Sequence, residues 1–411
     1  MVLVLSFDYG SPSGGAIIAE QISRRLAADF TLRVIRFCDE RRPGELPWAR
    51  FADTQSRQFV RHGIPVTQLG PAAPLAPLLR ALTRASRAAP PLRLPLSALF
   101  YAVHRAALRR EIAAADLVHL YYGGLPFAAW RIARLAAGNG VPVVLTPFLH
   151  LERQGRTVSM PLRLGSVLLP VLCREAAAVI AMTEVERRWL IDRGVAPARC
   201  FVAPGAPSLD PAHEADPDRF RATSGLGGDP IVLFLGRLSR AKGAERLLRA
   251  APLVWRVAPQ TRFVFIGPLV EQEVDPRRFT DPRLCFLKAM GAEKADALAA
   301  CSLLCVPSEA ESLGLVYLEA WAFAKPVVAL RLPVLETVIN DGEDGLLVDP
   351  APEAIARAIV TLLAAPETAK RLGLAGRAKV QRNFVWERSA AQVAAAYRHA
   401  LGGAALDRAR D

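Results

Sequence analysis

The stretch Leu303–Ala320, LLCVPSEAESLGLVYLEA, joins an apolar run to a segment of helical character through a polar loop. The apolar run Leu303–Val306 predicts a buried strand, and a helix is predicted over Leu315–Ala324. Glu311 then lies in the loop after the strand, and Glu319 lies about one turn into the helix. Because open α/β sheets bind ligands at the carboxyl ends of their strands, the loop is a candidate binding site.

The two glutamates do not define a site by themselves. They are eight residues apart, and this spacing alone favours a solvated pair over a binding site. The backbone amides near Leu315 and Val316 are suited to a phosphate, because the first amides of a helix have no partners within it. The interpretation therefore depends on what surrounds the stretch.

A second candidate site precedes it, at Gly236–Gly243, GRLSRAKG. It follows the predicted strand Ile231–Leu235 and opens a predicted helix. A glycine at the turn lets the backbone approach a ligand closely. Arg237 and Lys242 add two cations, and with the helix amides they are suited to a diphosphate. The alternative is a basic turn whose charges are merely solvated.

The rest of the chain repeats this alternation of strands and helices, which predicts doubly wound α/β domains. Strands are predicted at Val2–Phe7, Leu32–Phe37, Leu117–Tyr121, Val143–Thr146, Ala178–Met182, Cys200–Ala203, Ile231–Leu235, Arg262–Ile266, Leu284–Leu287, Leu303–Val306, Val327–Leu330 and Leu346–Val348. Helices are predicted at Ala16–Ala28, Leu96–Ile112, Pro126–Ala137, Glu184–Arg193, Ala244–Val257, Glu293–Ala300, Leu315–Ala324, Pro352–Leu363 and Trp386–Ala400.

A length of 411 residues exceeds what one hydrophobic core usually supports, so two domains are expected. Residues 1–204 form the predicted first domain, and the Pro- and Gly-rich residues 205–229 form a predicted linker. Residues 230–384 form the predicted second domain. Residues 385–411 form a predicted C-terminal helix, which is expected to cross back to the first domain.

The charge is uneven along the chain. Residues 1–205 hold 26 Arg, no Lys and 14 Asp plus Glu, a net charge of +12 out of +13 for the whole chain. A basic first half suits an anionic partner, such as a membrane surface, an acidic acceptor or a nucleic acid. The alternative is an Arg-rich surface without a specific partner. Nucleic-acid binding rests on charge alone and is not expected.

The six cysteines have neither paired spacing nor histidines at metal-ligand spacing, and they are expected to be reduced and mostly buried. No signal peptide is expected, because the apolar run Met1–Phe7 ends after about one strand length. No apolar stretch reaches the roughly 20 residues of a membrane span. We expect a cytoplasmic protein, with attachment to the inner face of the membrane as a further expectation from its basic first half.

Together, the two candidate sites resemble the retaining, nucleotide-sugar-dependent glycosyltransferases of family 4. That family carries G-R-x4-K-G, and about 70 residues later E-x-F-G-L-x3-E-A. This chain has Gly236-Arg237 with Lys242-Gly243, and then Glu311-Ser312-Leu313-Gly314-Leu315 with Glu319-Ala320, in which Leu313 replaces the commoner Phe. The resemblance implies the GT-B fold, with two Rossmann-like domains facing a central cleft.

The resemblance extends along most of the chain. Gly14 and Gly15 match a Gly-Gly loop that contacts the donor, and His150 matches a histidine near the donor sugar. His119 fits the family's D-x-V-H strand, where a buried strand histidine is the simpler interpretation. The run Tyr121-Tyr122 suits either an acceptor pocket or aromatic packing. The chain departs from the family pattern at two places, which bear on the interdomain hinge and on acceptor binding. Ala203-Pro204-Gly205 lacks the family's Asn, and Arg331-Leu332-Pro333 replaces a Gly-rich turn.

The resemblance implies transfer of a sugar from a UDP- or GDP-sugar with retention of anomeric configuration, in polysaccharide or glycolipid synthesis. Acceptors of this kind are saccharides, lipid-linked molecules or small molecules. Glu311 would bind hydroxyls of the donor sugar, Glu319 the ribose, and His150 the sugar, and neither glutamate need be a base. Arg237 and Lys242 would stabilise the diphosphate. The implied donor-binding residues are Gly14, Gly15, Gly236, Arg237, Lys242, Glu311, Ser312, Leu313, Gly314, Leu315, Val316 and Glu319.

No metal or other cofactor is expected, because no Asp-x-Asp lies near a strand end. The alternative to an enzyme is a non-catalytic relative that binds a nucleotide sugar and acts as a partner or scaffold subunit. The presence of Arg237, Lys242, Glu311 and Glu319 argues against that alternative. A redox Rossmann enzyme is not indicated, because no G-x-G-x-x-G follows a strand.

Overall fold

The computed structural model describes the chain except for residues 39–50, 72, 155–162, 210–214, 270–274, 276–277, 288–291 and 409–411. The chain divides into two compact units. The first comprises Met1–Leu149, Thr157–Pro204 and Trp386–Asp411, and the second comprises His150–Arg156 and Gly205–Val385. Each unit contains one large, mainly parallel β-sheet with helices packed on it, so the doubly wound α/β class predicted from the sequence is confirmed.

The first unit is built on an eight-stranded sheet with the order β3-β4-β2-β1-β5-β6-β8-β9. Its strands are β1 Val2–Leu5, β2 Leu32–Arg36, β3 Arg57–Arg61, β4 Ile64–Gln68, β5 Leu117–Tyr121, β6 Val143–Thr146, β8 Ala178–Ala181 and β9 Cys200–Val202. All neighbours are parallel except β3, which pairs antiparallel with β4. The central strands are buried along their length, as expected for a parallel sheet covered on both faces.

Helices of the first unit connect these strands. They are α1 Gly14–Leu26, α2 Ala76–Ala88, α3 Arg93–Ala113, α4 Pro126–Ala137, α5 Arg163–Glu175, α6 Glu184–Ile191 and, at the end of the chain, α14 Trp386–Arg408. Helix α1 begins after Ser13, whose hydroxyl accepts a hydrogen bond from the amide of Ala16 and so satisfies one of the free amides. Helix α14 packs against α1 and strands β8 and β9.

The second unit is built on a six-stranded parallel sheet with the order β12-β11-β10-β13-β15-β16. Its strands are β10 Ile231–Leu235, β11 Arg262–Ile266, β12 Leu284–Leu287, β13 Leu303–Val306, β15 Val327–Leu330 and β16 Leu346–Val348. The chain order reverses beside β10, since β11 lies on one side of it and β13 on the other. Ligands of open α/β sheets bind at such a switch point, outside the carboxyl ends of the strands.

The helices of the second unit cover both faces of this sheet. They are α7 Pro217–Ser224, α8 Ala244–Trp255, α9 Ala292–Ala300, α10 Leu315–Ala322, α11 Pro333–Glu336, α12 Pro352–Ala364 and α13 Pro366–Asn383. A separate antiparallel ladder joins β7 Leu151–Glu152 to β14 Ala310–Glu311. This ladder attaches a segment from the middle of the sequence to the second unit.

Several elements differ from the sequence-based predictions. The predicted linker, residues 205–229, lies in the second unit and contains helix α7, which is capped by Asp216. The Arg219 guanidinium binds the buried Asp296 of α9 and so fixes α7 in place. Helix α3 (Arg93–Ala113) corresponds to the predicted helix Leu96–Ile112, whereas helices α2 and α13 and the β3–β4 hairpin were not predicted.

Candidate donor site at the carboxyl ends of the second sheet

The loop after β10 follows a path set by the neighbouring strand β11. The amide of Gly236 donates to the carbonyl of Ile266 at 3.0 Å, and the amide of Leu238 donates to the carbonyl of Pro268 at 2.8 Å. Gly267 packs directly on the backbone of Gly236, where a Cβ atom would lie 1.9 Å from the Gly236 carbonyl oxygen. The turn therefore requires a glycine at this close approach.

The same loop ends at the start of α8, as the sequence predicts. The hydroxyl of Ser239 accepts from the amide of Lys242 at 3.3 Å, which holds the last turn of the loop. Gly243 has a left-handed φ of +80°. A Cβ atom on Gly243 would lie 2.0 Å from the carbonyl oxygen of Pro307, so the two candidate loops touch through backbone here.

Further contacts join the loop after β13 to the loop after β10. The amide of Glu309 donates to the carbonyl of Ala241 at 2.9 Å. The Arg246 guanidinium, in the first turn of α8, pairs with the Glu309 carboxylate. The two loops recognised in the sequence as separate motifs are therefore one backbone assembly at the carboxyl ends of adjacent strands.

The centre of this assembly is an ion pair between Lys242 and Glu311. The Lys242 ammonium donates to Glu311 Oε1 at 2.6 Å, and the two side chains are 19% and 5% exposed. Burial acts to raise the pKa of Glu311, but the charge and hydrogen bond of Lys242, helped by the charge of His150, hold that pKa below its ordinary value. Glu311 is consequently an ionised carboxylate inside the protein.

His150 is carried to the same place by the β7–β14 ladder. Leu151 pairs with Glu311 and Glu152 pairs with Ala310, so His150 directly precedes a residue in register with Glu311. His150 and Phe148 have φ angles of +39° and +47°, values that are uncommon for residues other than glycine. Backbone strain of this kind costs on the order of 1–3 kcal/mol per residue and is often found at binding sites.

Glu319 lies in helix α10 and has a protein partner on each carboxylate oxygen. Ser208 Oγ donates to Oε1 at 2.9 Å, and Lys294 Nζ donates to Oε2 at 2.6 Å. Neither partner was predicted from the sequence. Ser208 is 111 residues from Glu319 and Lys294 is 25 residues away, both outside the two motifs, so local spacing carries no signal for these contacts.

The other predicted site residues fall into two groups. In the second unit, Ser312 and Leu313 are buried, Gly314 has a φ of +81° before α10, and Leu315 and Val316 are the first residues of that helix. Arg237 is partly exposed in the loop after β10. Gly14 and Gly15 lie in the first unit, at the start of α1, where Gly15 packs beside the ring of Phe148.

The histidine and the tyrosine of β5 belong to the core of the first unit. His119 is fully buried, with Nδ1 bonded to the Tyr397 hydroxyl and Nε2 to the Thr146 hydroxyl, both at 2.8 Å. Burial lowers its pKa to about 3, so the ring is neutral. Tyr121 stacks near His119 and Phe148. The simpler interpretation of His119 as a core residue is confirmed.

The cysteines also behave as predicted. All six are free thiols, and all are buried except the partly exposed Cys285. Burial raises the pKa of Cys301 to about 11 and raises those of Cys173 and Cys305 further. Among the residues that the structure describes, no group of three or more His, Cys, Asp or Glu side chains is placed to hold a metal ion.

This combination of features defines a class of protein. A parallel sheet with a chain reversal, a tight glycine loop, a helix start and a lysine–carboxylate pair at the strand ends is suited to a phosphorylated ligand with sugar hydroxyls. Helix amides and a lysine are groups suited to a phosphate, and carboxylates are groups suited to accept hydroxyl hydrogens. A nucleotide with a sugar attached has both parts.

Comparison with known proteins agrees with this class. The model for glycosyl transferases group 1 matches residues 216–379, and the model for a glycosyl transferase 4-like domain matches residues 13–206. D-inositol 3-phosphate glycosyltransferase of Segniliparus rotundus is 34% identical over 314 residues, covering 71% of this chain and 68% of that protein. The chain therefore belongs to the family-4 glycosyltransferases and is a transferase enzyme with the GT-B fold.

Two further relatives are informative. Phosphatidyl-myo-inositol mannosyltransferase of Mycobacterium tuberculosis is 29% identical over 361 residues, covering 83% of this chain and 89% of that protein. The crystal structure of HepE from Anabaena in complex with UDP and glucose has a TM-score of 0.72 and 19% identity, covering 97% of this chain and 99% of that one. Within the described part of this chain, none of the helices combines the length and apolar character needed to cross a bilayer.

Proposed function

We propose that this enzyme transfers a hexose from a UDP- or GDP-sugar to a hydroxyl group of its acceptor, with retention of configuration at the anomeric carbon. The observation that carries the proposal is the buried Lys242–Glu311 pair, held 2.6 Å apart by two loops that are locked together through backbone. A cation and a carboxylate fixed side by side suit the junction between a diphosphate and a sugar, where negative charge adjoins hydroxyl groups.

Each residue has a role in the proposed donor complex. Lys242, Arg237 and the first amides of α10 bind the diphosphate, and Glu311 accepts hydrogen bonds from hydroxyls of the donor sugar. His150 binds the sugar beside Glu311, and Glu319 binds the ribose. Gly14 and Gly15 leave room for donor groups to approach the start of α1.

The proposed chemistry relies on charge stabilisation. As the bond between the anomeric carbon and the phosphate oxygen breaks, negative charge grows on the diphosphate, and Lys242 and Arg237 stabilise it. The acceptor hydroxyl attacks from the face of the leaving group and passes its proton to a phosphate oxygen. Glu311 is ionised but already bonded to Lys242, so it orients the sugar and does not take the acceptor proton.

We propose an acceptor that contains an inositol phosphate group. The two relatives above are named for D-inositol 3-phosphate and for phosphatidyl-myo-inositol, which share that chemistry. The net charge of +12 over residues 1–205 suits a phosphorylated acceptor. Assays with free inositol 3-phosphate and with phosphatidylinositol in vesicles separate the soluble acceptor from the lipid-linked one.

The basic first half also supports a proposed attachment to anionic membranes. Lys and Arg near a surface contribute roughly 1 kcal/mol each to binding anionic lipid, and the attraction weakens with salt. Co-sedimentation with vesicles at low salt tests this proposal. Stronger binding to vesicles with anionic lipid than to neutral vesicles is expected, and equal binding to both would contradict the proposal.

A thermal-shift screen of UDP-, GDP- and ADP-sugars tests the proposed donor class. One of them is expected to raise the melting temperature, because a ligand that binds only the folded state stabilises it. Glu319→Ala should weaken this shift, whereas the exposed Lys370→Met should leave it unchanged. No shift with any nucleotide sugar would contradict the proposed donor class.

We further propose that transfer needs no divalent metal, because the lysine and arginine beside the diphosphate supply the positive charge. Turnover measured after removal of divalent ions by chelation is expected to match turnover in the presence of Mg²⁺. A large loss of activity that added Mg²⁺ reverses would contradict this part of the proposal.

A further inference from the structure

The carboxylate of Glu319 is buried and is held by two side chains. Its side chain is only 4% exposed, and the Lys294 ammonium bonds to one oxygen at 2.6 Å. The Ser208 hydroxyl bonds to the other oxygen at 2.9 Å. A buried carboxylate with a partner on each oxygen cannot rotate without breaking one of these bonds.

The arrangement leaves part of the acceptor capacity unused. A carboxylate oxygen can accept about two hydrogen bonds, and each oxygen of Glu319 is given one by the protein. One acceptor position therefore remains on each oxygen. Two acceptor positions fixed side by side match the two hydroxyls of a vicinal diol, the group that a ribose presents at its 2′ and 3′ carbons.

We infer that Lys294 is a positioning residue that sets the recognition of a ribose diol by Glu319. The inference rests on the proposed function, since it assumes that Glu319 faces the ribose of the donor. Lys294 lies in the first turn of α9 and is 28% exposed, so its charge compensates that of Glu319 at the edge of the site. Without the ammonium, Glu319 is a buried charge held by a single hydroxyl, and its orientation is no longer fixed.

The test compares two ligands that differ only in the diol. Dissociation constants of UDP and GDP, and of their 2′,3′-dideoxy forms, are measured by calorimetry for the full-length chain. For the nucleotide that binds, the ratio of the dideoxy constant to the ribose constant reports diol recognition. Because hydrogen bonds to a charged group are strong, we expect a ratio of about 10 or more in the wild type.

Four variants make the test specific. Lys294→Met should lower the ratio at least about threefold, and Lys294→Arg should retain more of it because the charge is kept. Ser208→Ala should lower the ratio less, because a neutral donor is lost. The exposed Lys370→Met changes the net charge equally and should leave the ratio unchanged. A melting temperature for each variant checks that it is folded.

The outcomes separate the inference from the proposed function. A wild-type ratio of about 10 that falls in Lys294→Met and survives in Lys294→Arg supports the inference. A ratio in Lys294→Met equal to or above the wild-type value overturns it, as does a wild-type ratio near one, and both leave nucleotide binding intact. If neither UDP nor GDP binds the wild type, the proposed function fails and the assignment of Lys294 fails with it.

Discussion

Lys242 and Glu311 meet at 2.6 Å, and both side chains are largely buried. Such a pair is weak evidence for stability, because removing two charges from water costs several kcal/mol per ion. The pair contributes by fixing geometry, since each partner holds the other in position and both charged groups are in place before a ligand binds. A preorganised cation of this kind is effective at a site where negative charge develops.

Replacing the cation should impair the reaction and, because it leaves the buried Glu311 carboxylate without its partner, should also lower the stability of the fold. We expect Lys242→Met to lower kcat by about 10²–10³-fold, the loss typical when one charge-stabilising donor is removed. Initial rates of sugar release from the best donor give the measurement. The exposed Lys370→Met is the matched control and should keep wild-type rates. A Lys242→Met enzyme within about threefold of the wild type would exclude the proposed role of this lysine.

The lowered pKa of Glu311 makes a prediction about pH. A carboxyl whose folded-state pKa is below its unfolded value of 4.5 adds stability that is present above that value and is lost as the pH falls through the folded-state pKa. Wild type and Glu311→Gln should therefore differ in free energy of unfolding at neutral pH. Urea unfolding between pH 7 and pH 3 should show the difference shrinking below pH 4.5. A difference independent of pH would contradict the assigned direction.

At the scale of elements, the two loops are held together where Gly243 meets the carbonyl of Pro307. The chain contains a matched glycine for testing this contact. Gly342 has a φ of +79°, almost the same as the +80° of Gly243, but a Cβ atom there would have no neighbour within 4 Å. Alanine at either position meets the same backbone strain, and only Gly243→Ala also meets the steric clash.

Gly342→Ala should accordingly cost about 1–2 kcal/mol in the free energy of unfolding, the typical cost of a left-handed non-glycine residue. Gly243→Ala should cost roughly 1–3 kcal/mol more, because the loops must separate to admit the methyl group. Chemical denaturation of the two variants measures both values. Equal losses would show that the contact with Pro307 does not constrain the loops.

Elements with a strong local signal were predicted well. The buried strands Leu117–Tyr121 and Ile231–Leu235 agree residue for residue with the structure, because continuous apolar runs bounded by polar residues have few alternatives. Edge strand β3 was missed because Arg57–Arg61 is largely exposed and charged. Helix α13 was missed because Gly373 and Gly376 weaken its pattern, although each is required by close contact, Gly376 with the Trp321 ring.

The candidate site was only partly predictable, for a related reason. Gly236–Gly243 and Glu311–Glu319 were found because their residues are close in sequence and follow buried strands. Ser208 and Lys294 reach Glu319 only through the packing of the second unit. Contacts of this kind depend on how helices and loops lie on the sheet, and no short-range pattern in a single sequence encodes them.

At the scale of the whole molecule, neither unit is built from one continuous stretch of sequence. The segment His150–Arg156 belongs to the second unit, and the C-terminal segment Trp386–Asp411 belongs to the first. Within the first unit, Tyr397 of α14 bonds to the buried His119 of β5. The last helix thus completes the polar core of a unit that the chain begins nearly 400 residues earlier.

Removing this contact should weaken the first unit. Tyr397→Phe leaves Nδ1 of His119 buried without its partner, which costs about 1–3 kcal/mol. Tyr101→Phe is the control, because the Tyr101 hydroxyl makes no hydrogen bond to any residue that the structure describes. Thermal unfolding should show a lower melting temperature for Tyr397→Phe than for Tyr101→Phe. Identical melting temperatures would mean that the hydrogen bond does not stabilise the unit.

Retention of anomeric configuration is the outcome proposed for this sugar transferase. The most direct test is the configuration of the product, read from the anomeric carbon–proton coupling by NMR after reaction of an α-linked UDP- or GDP-hexose with an inositol phosphate acceptor. We predict an α-linked product whose formation is abolished in Glu311→Ala. A β-linked product would contradict retention, and the absence of any transfer from all such donors would contradict the proposed reaction.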